Sequence, residues 1–118
     1  MGTTAYSQGK ENTIDLKPAS RAVVCKLTTP ELQERKRTVV AQLKQSLLEK
    51  KETGKGIRYK FDNSDKMLDL ISDFIKTERM CCDFFDFTLT LEAETGFMWL
   101  ELSGPQGTKE FVKEELGL

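Results

Sequence analysis

Two alternating segments near the end of the chain constrain the fold more than any other feature. In the segment 85–92, apolar residues alternate with polar ones: Phe85, Phe87, Leu89 and Leu91 face one way and Asp86, Thr88, Thr90 and Glu92 the other. After a turn containing Gly96, the segment 97–103 places Met98, Leu100 and Leu102 on a second apolar face. A two-residue period predicts strands with one covered face, and the short connection predicts an antiparallel hairpin.

The rest of the chain alternates between the periods of strands and helices. Strands are predicted over 21–29 and 56–62. One helix should begin at Pro30 and end at Gly54, a second should run from Asn63 or Ser64 to near Cys82, and a short third should follow Gly104 with Pro105 in its first turn. We expect an α+β fold: a two-layer sandwich of a mixed four-stranded sheet, parallel where helices cross over, with helices on one face. Residues 1–20 are predicted to be a mobile tail, and 21–118 one domain.

Composition excludes several classes of function. The net charge of −1 gives no general attraction to nucleic acids or anionic membranes, and no apolar run approaches the length of a membrane span. The 118 residues include no histidine, which removes the common neutral-pH base and zinc ligand, so no reaction can be assigned. Three cysteines without an export signal favour reduced thiols in the cytoplasm.

The adjacent cysteines in "ERMCCDFFDF" (78–87) are the strongest chemical signal. Thiolates prefer soft metals and metalloids, and Cys81 and Cys82 converge only if the helix ends beside them. Cys25 shares a predicted strand face with Val23 and Leu27, so it is a candidate third ligand. The alternative is that all three thiols are small apolar groups in the core. A soft-metal, metalloid or oxidation-sensing site therefore competes with a structural role.

Glu78 is unexpected, because it falls on the apolar stripe of the second helix one turn before the cysteines. A buried carboxylate needs a partner, and Arg35 and Arg37 are the predicted ones, with neighbouring Arg79 as another candidate. The pair could stabilise helix packing or could orient a thiol and accept its proton.

The opposite face of the hairpin carries Trp99 and Phe97 beside Arg58 and Lys60. An exposed indole on an open sheet would be a contact surface, and we predict that Trp99 is partly exposed. Without net positive charge, a protein partner or a homodimer is favoured over nucleic acid. The second hypothesis for the chain is therefore a non-catalytic structural or protein-interaction domain.

Four segments carry a resemblance to a family of small bacterial proteins that are poorly characterised. They are "CKLTTPELQER" (25–35), "GIRYKF" (56–61), "ERMCCDFFDFTL" (78–89) and "LELSGPQGTKEF" (100–111). The resemblance covers about residues 23–116, and some such proteins resemble domains found in heavy-metal-resistance settings. By position it draws attention to Cys25, Arg35, Glu78, Cys81, Cys82 and Gly104. Asp83 stands here where proline often follows the double cysteine.

Overall fold

The computed structural model describes residues 23–24 and 29–118. The predicted tail over 1–20 lies outside these residues, as do Cys25 and most of the predicted strand over 21–29.

The first helix, α1, spans Pro30–Ser46 and begins where the sequence predicted. The Thr29 hydroxyl accepts a hydrogen bond from the Leu32 backbone N–H at 3.2 Å, and Pro30 occupies the first turn, where a backbone donor is not needed. The buried face of α1 carries Val39, Val40 and Leu43.

The predicted end of α1 at Gly54 is wrong, because the chain leaves the helix at Ser46 and forms an unpredicted strand. This strand, β1, spans Glu49–Glu52 and pairs antiparallel with β2, Gly56–Asp62. All four residues of β1 are exposed, so the segment has no apolar alternation that could distinguish a strand from the polar end of a helix. Pairing with β2 stabilises it instead.

The second helix, α2, spans Asp65–Cys81 and is capped by the Ser64 hydroxyl, which accepts from the Met67 N–H at 3.1 Å. Its buried stripe is the predicted one: Met67, Ile71, Phe74, Glu78 and Cys81, with Thr77 beside them. The last two strands are β3, Asp86–Leu91, and β4, Phe97–Ser103.

The described strands form one sheet in the order β1-β2-β4-β3, and every pair in it is antiparallel. The two-layer α+β class is confirmed, but the expected mixture of parallel and antiparallel pairs is not found in this part of the chain. The crossover through α2 joins β2 to β3, which run in the same direction. Because β4 lies between them and runs the other way, neither bonds to the other.

The core lies between the helices and one face of the sheet. That face is lined by Ile57, Tyr59, Phe61, Met98, Leu100 and Leu102, all almost completely buried. A short helix, α3, spans Thr108–Phe111 and continues as a π-helical turn over Val112–Leu116. Gly107 is its N-cap, so Pro105 precedes the helix and is not in its first turn as predicted. Among the described helices, none is both long and apolar enough to cross a bilayer.

Candidate functional site

The end of α2 places the two cysteines in different backbone environments. Cys81 is the last helical residue, whereas Cys82 has φ −127° and ψ 87° and leaves the helical path. The backbone N–H of Cys82 still donates to the Glu78 carbonyl at 2.6 Å, which closes the last turn. The predicted helix end is confirmed, and it occurs because Phe84 and Phe85 enter the core from the following segment.

Both cysteines are thiols in the core, each about 1% exposed. Cys25, the candidate third ligand, lies outside the described ranges, so its approach to the pair stays a prediction. Within 23–24 and 29–118, no cluster of three or more His, Cys, Asp or Glu side chains is arranged to hold a metal ion.

A lysine of α1 contacts the Cys82 thiol and the Glu78 carboxylate at the end of α2. The Lys36 ammonium lies 3.9 Å from the Cys82 sulfur and 3.6 Å from Oε1 of Glu78. The Glu78 side chain is fully buried and that of Lys36 is 11% exposed. We call these three residues the Lys36 cluster. It brings a positive charge, a thiol and a carboxylate within contact of one another.

The predicted partners of Glu78 were wrong. Arg35 donates from Nε to the Thr77 hydroxyl at 3.1 Å and pairs with Asp73 at 3.2 Å, while Arg37 pairs with Glu34 at the surface. These arginines lie on the flank and the outer side of α1. Lys36 alone of these basic residues lies on the side of α1 that faces Glu78.

Burial dominates the electrostatics of Glu78. Removal from water raises the pKa of its carboxyl group, and the charge of Lys36 together with polar contacts from Cys82 and Lys36 offsets part of the rise. Among the described residues, neither Glu78 oxygen has a hydrogen-bond partner at normal distance. A buried carboxylate held this way is costly to folding, which is a common property of functional groups.

Aromatic rings close the cluster on the side of the following segment. Phe84 packs edge-on against Phe111 with ring centroids 5.0 Å apart, and Phe85 lies 4.4 Å from Phe84. The Lys36 ammonium is 5.9 Å from the centre of the Phe111 ring, within the range of a cation–π contact. Phe111 thus links the Lys36 cluster to the aromatic residues after the cysteines.

Sequence reasoning missed the role of Lys36, although a signal for it was present. Lys36 falls on the apolar stripe of α1 together with Leu32, Val39, Leu43 and Leu47. When each of two apolar stripes carries one residue of opposite charge, the two charged residues are expected to pair where the helices pack together. Lysine near a helix edge often extends its head to water, and this made the pairing easy to overlook.

Trp99 does not form the exposed contact surface that was predicted. It lies on the sheet face opposite the helices, but only 8% of it is exposed. Arg58, Lys51 and Lys60 cover the indole at 4.5, 5.4 and 5.7 Å from its ring centre. Phe97 is partly exposed, with Lys60 at 4.1 Å from its ring. The aromatic side chains on this face are thus covered by basic side chains of the same chain.

Gly104, which the resemblance singles out, has a packing role. A Cβ atom at this position would lie 2.7 Å from the Thr108 hydroxyl and 2.8 Å from the Phe84 carbonyl. Only glycine allows the start of α3 to approach the segment that follows the cysteines.

Comparison with protein-family models, curated proteins and solved structures gives no significant match to this chain.

Proposed function

We propose that this chain is a small thiol domain that binds a soft metal or metalloid ion through Cys81 and Cys82, with Cys25 as the candidate third ligand. The observation that supports it is the Lys36 ammonium 3.9 Å from the Cys82 sulfur, with the buried Glu78 carboxylate against the same ammonium. The proposal places the protein in a reducing compartment such as the cytoplasm, where thiols persist.

The chemistry of soft-ion binding requires thiolates, and the Lys36 cluster supplies two aids to forming one. A nearby ammonium stabilises the sulfur anion. A carboxylate with a raised pKa is a better acceptor for a thiol proton than an exposed one, because less free energy is lost in the transfer. With a trivalent arsenical, each As–OH bond is replaced by an As–S bond, and the hydroxyl leaves with the thiol proton as water.

The competing candidate is the structural or protein-interaction domain, and the 1% exposure of both cysteines favours it. A purely structural pair of thiols, however, has no need of a lysine and a glutamate drawn into the core beside it. Those two charges cost folding free energy that well-packed apolar residues would not. The homodimer also stays a proposal, although the covering of Trp99 weakens the surface first suggested for it.

Phenylarsine oxide, which bridges two neighbouring thiols, provides the test. We expect one equivalent to bind the native protein and to protect two cysteines from later alkylation, as located by tandem mass spectrometry. Cys81→Ser and Cys82→Ser should each abolish the bridge. If Cys25→Ser weakens binding of arsenite but spares phenylarsine oxide, Cys25 is the third ligand.

The structural alternative predicts a different result. No arsenical would bind until the protein is unfolded, and all thiols would react together at the rate of unfolding. A third outcome, rapid oxidation by hydrogen peroxide without arsenical binding, would favour the oxidation sensor over the metal or metalloid site.

A further inference from the structure

A surface cleft of about 490 Å³ lies between α1 and the C-terminal turn, and the Lys36 cluster meets the surface there. Its lining includes Lys36, Arg37, Lys44, Val40, Glu115 and Leu116. The side chain of Lys36 thus has two environments. Its ammonium contacts buried Glu78 and Cys82, and the same side chain forms part of the cleft wall.

The charge in the cleft is predominantly positive, with three cations against one carboxylate. Lys44 forms no ion pair with any residue of the described ranges, and its amine lies 3.1 Å from where a Cβ of Gly117 would be, at the C-terminal turn. The Arg37 side chain is paired only at the surface with Glu34, and both are largely exposed. Val40 and Leu116 add apolar wall between the charges.

We infer that this cleft binds a small, elongated polyvalent anion such as a phosphate chain, and that the anion competes with the Lys36 cluster for the Lys36 ammonium. Positions 36 and 44 are eight residues apart on one helix, a rise of about 12 Å, so a chain of charges fits better than a compact ion. Binding of the anion does not depend on the proposed function. When the anion binds, Cys82 loses part of the positive charge that stabilises its thiolate. This second effect rests on the proposed function.

Inorganic tripolyphosphate, a longer chain of charges, is the probe, and isothermal titration calorimetry at low salt measures its affinity. Arg37→Gln and Lys44→Gln should each weaken binding about fivefold, the factor that one exposed charge contact provides. Lys76→Gln, at an exposed position of α2 outside the cleft, is the matched control and should bind normally. Glu78→Gln should bind more tightly, because the anion then no longer competes with the Glu78 carboxylate for the Lys36 ammonium.

Absence of saturable binding, or equal binding by wild type and the two cleft variants, would overturn the anion site. If a folded Glu78→Gln protein bound the anion with the same affinity as wild type, the competition for Lys36 would be overturned. This result does not depend on the reactivity of any cysteine. Saturating tripolyphosphate should also slow alkylation of Cys82 by the uncharged reagent N-ethylmaleimide. If Cys82 is unreactive with or without anion, the proposed function fails while the calorimetry still decides the cleft.

Discussion

At the scale of single residues, the contact of buried Glu78 with Lys36 joins two helices whose apolar stripes each carry one charge. Glu78 had to be buried because the apolar period of α2 runs through it, and the structure confirms this. Its partner depends on the rotation of α1, and a difference of one residue turns a helix by about 100°. Arg35, Lys36 and Arg37 point in three directions, so the sequence could not choose among them without the packing of α1 on α2.

The pH dependence of stability tests the burial of Glu78. Its pKa is raised in the folded protein, so the folded state holds this proton more tightly than the unfolded chain. The stability that this adds is fully present below the unfolded pKa of about 4.3 and is lost as pH rises through the folded value. Between the unfolded and the folded pKa of Glu78, the free energy of unfolding of the wild type should fall by up to about 1.4 kcal/mol per pH unit. Glu78→Gln should remove this fall.

Urea unfolding of wild type and Glu78→Gln from pH 4 to pH 8 measures the difference. Glu94→Gln, an exposed substitution that removes a charge of the same sign, controls for the general effect of lost charge. Parallel stability curves for wild type and Glu78→Gln would mean that Glu78 titrates as it does in water.

At the scale of elements, helices and strands with an apolar face could be predicted from the sequence, and a strand without one could not. Both faces of β2 and β4 follow the sequence alternation, and the cap of α2 is one of the two residues named. The strand β1 carries only charged residues, and its partner determines its conformation. Trp99 was placed on the correct face but its exposure was wrong, since lysine and arginine stems from neighbouring strands fold over it.

The pairing of β2 with β4 predicts that alanine substitution at two nearby glycines has very different effects on stability. A Cβ on Gly56 would lie 1.9 Å from the Leu102 carbonyl oxygen, whereas a Cβ on Gly54 would meet nothing within 4 Å. Because backbone must move to admit it, Gly56→Ala should destabilise by about 2–4 kcal/mol. Gly54→Ala should change stability by less than about 0.5 kcal/mol. Thermal unfolding of the two variants checks this, and equal melting temperatures would contradict the observed register.

The covering of Trp99 by basic side chains is open to a fluorescence test. Acrylamide should quench the wild-type indole weakly, and Arg58→Ala should increase the quenching and shift emission to longer wavelength, because Arg58 is the nearest cation. Lys66→Ala, outside this face, serves as the control. An indole that acrylamide already quenches as strongly as free tryptophan in the wild type would show that the basic side chains do not cover it.

At the scale of the whole molecule, the layers were predictable and the strand order was not. Alternating strands and amphipathic helices imply a two-layer α+β domain with helices on the apolar face. Whether a crossover yields a parallel pair depends on which strand occupies the space between, and β4 does so here. The same layering brings α1 over the end of α2, so that Lys36, 42 positions from Glu78, joins the cysteines.

The reactivity of Cys82 with and without the Lys36 charge decides whether the Lys36 cluster prepares this thiol for ion binding. In a Cys25→Ser, Cys81→Ser background, the alkylation rate of Cys82 by N-ethylmaleimide is measured at pH 7 for Lys36 and for Lys36→Met, which keeps the apolar stem. Loss of the ammonium should slow the reaction about tenfold, the effect of one close opposite charge on a thiolate population. Lys76→Met should react at the parent rate. Equal rates for Lys36 and Lys36→Met, or reaction only after unfolding, would contradict a thiol prepared by the Lys36 cluster.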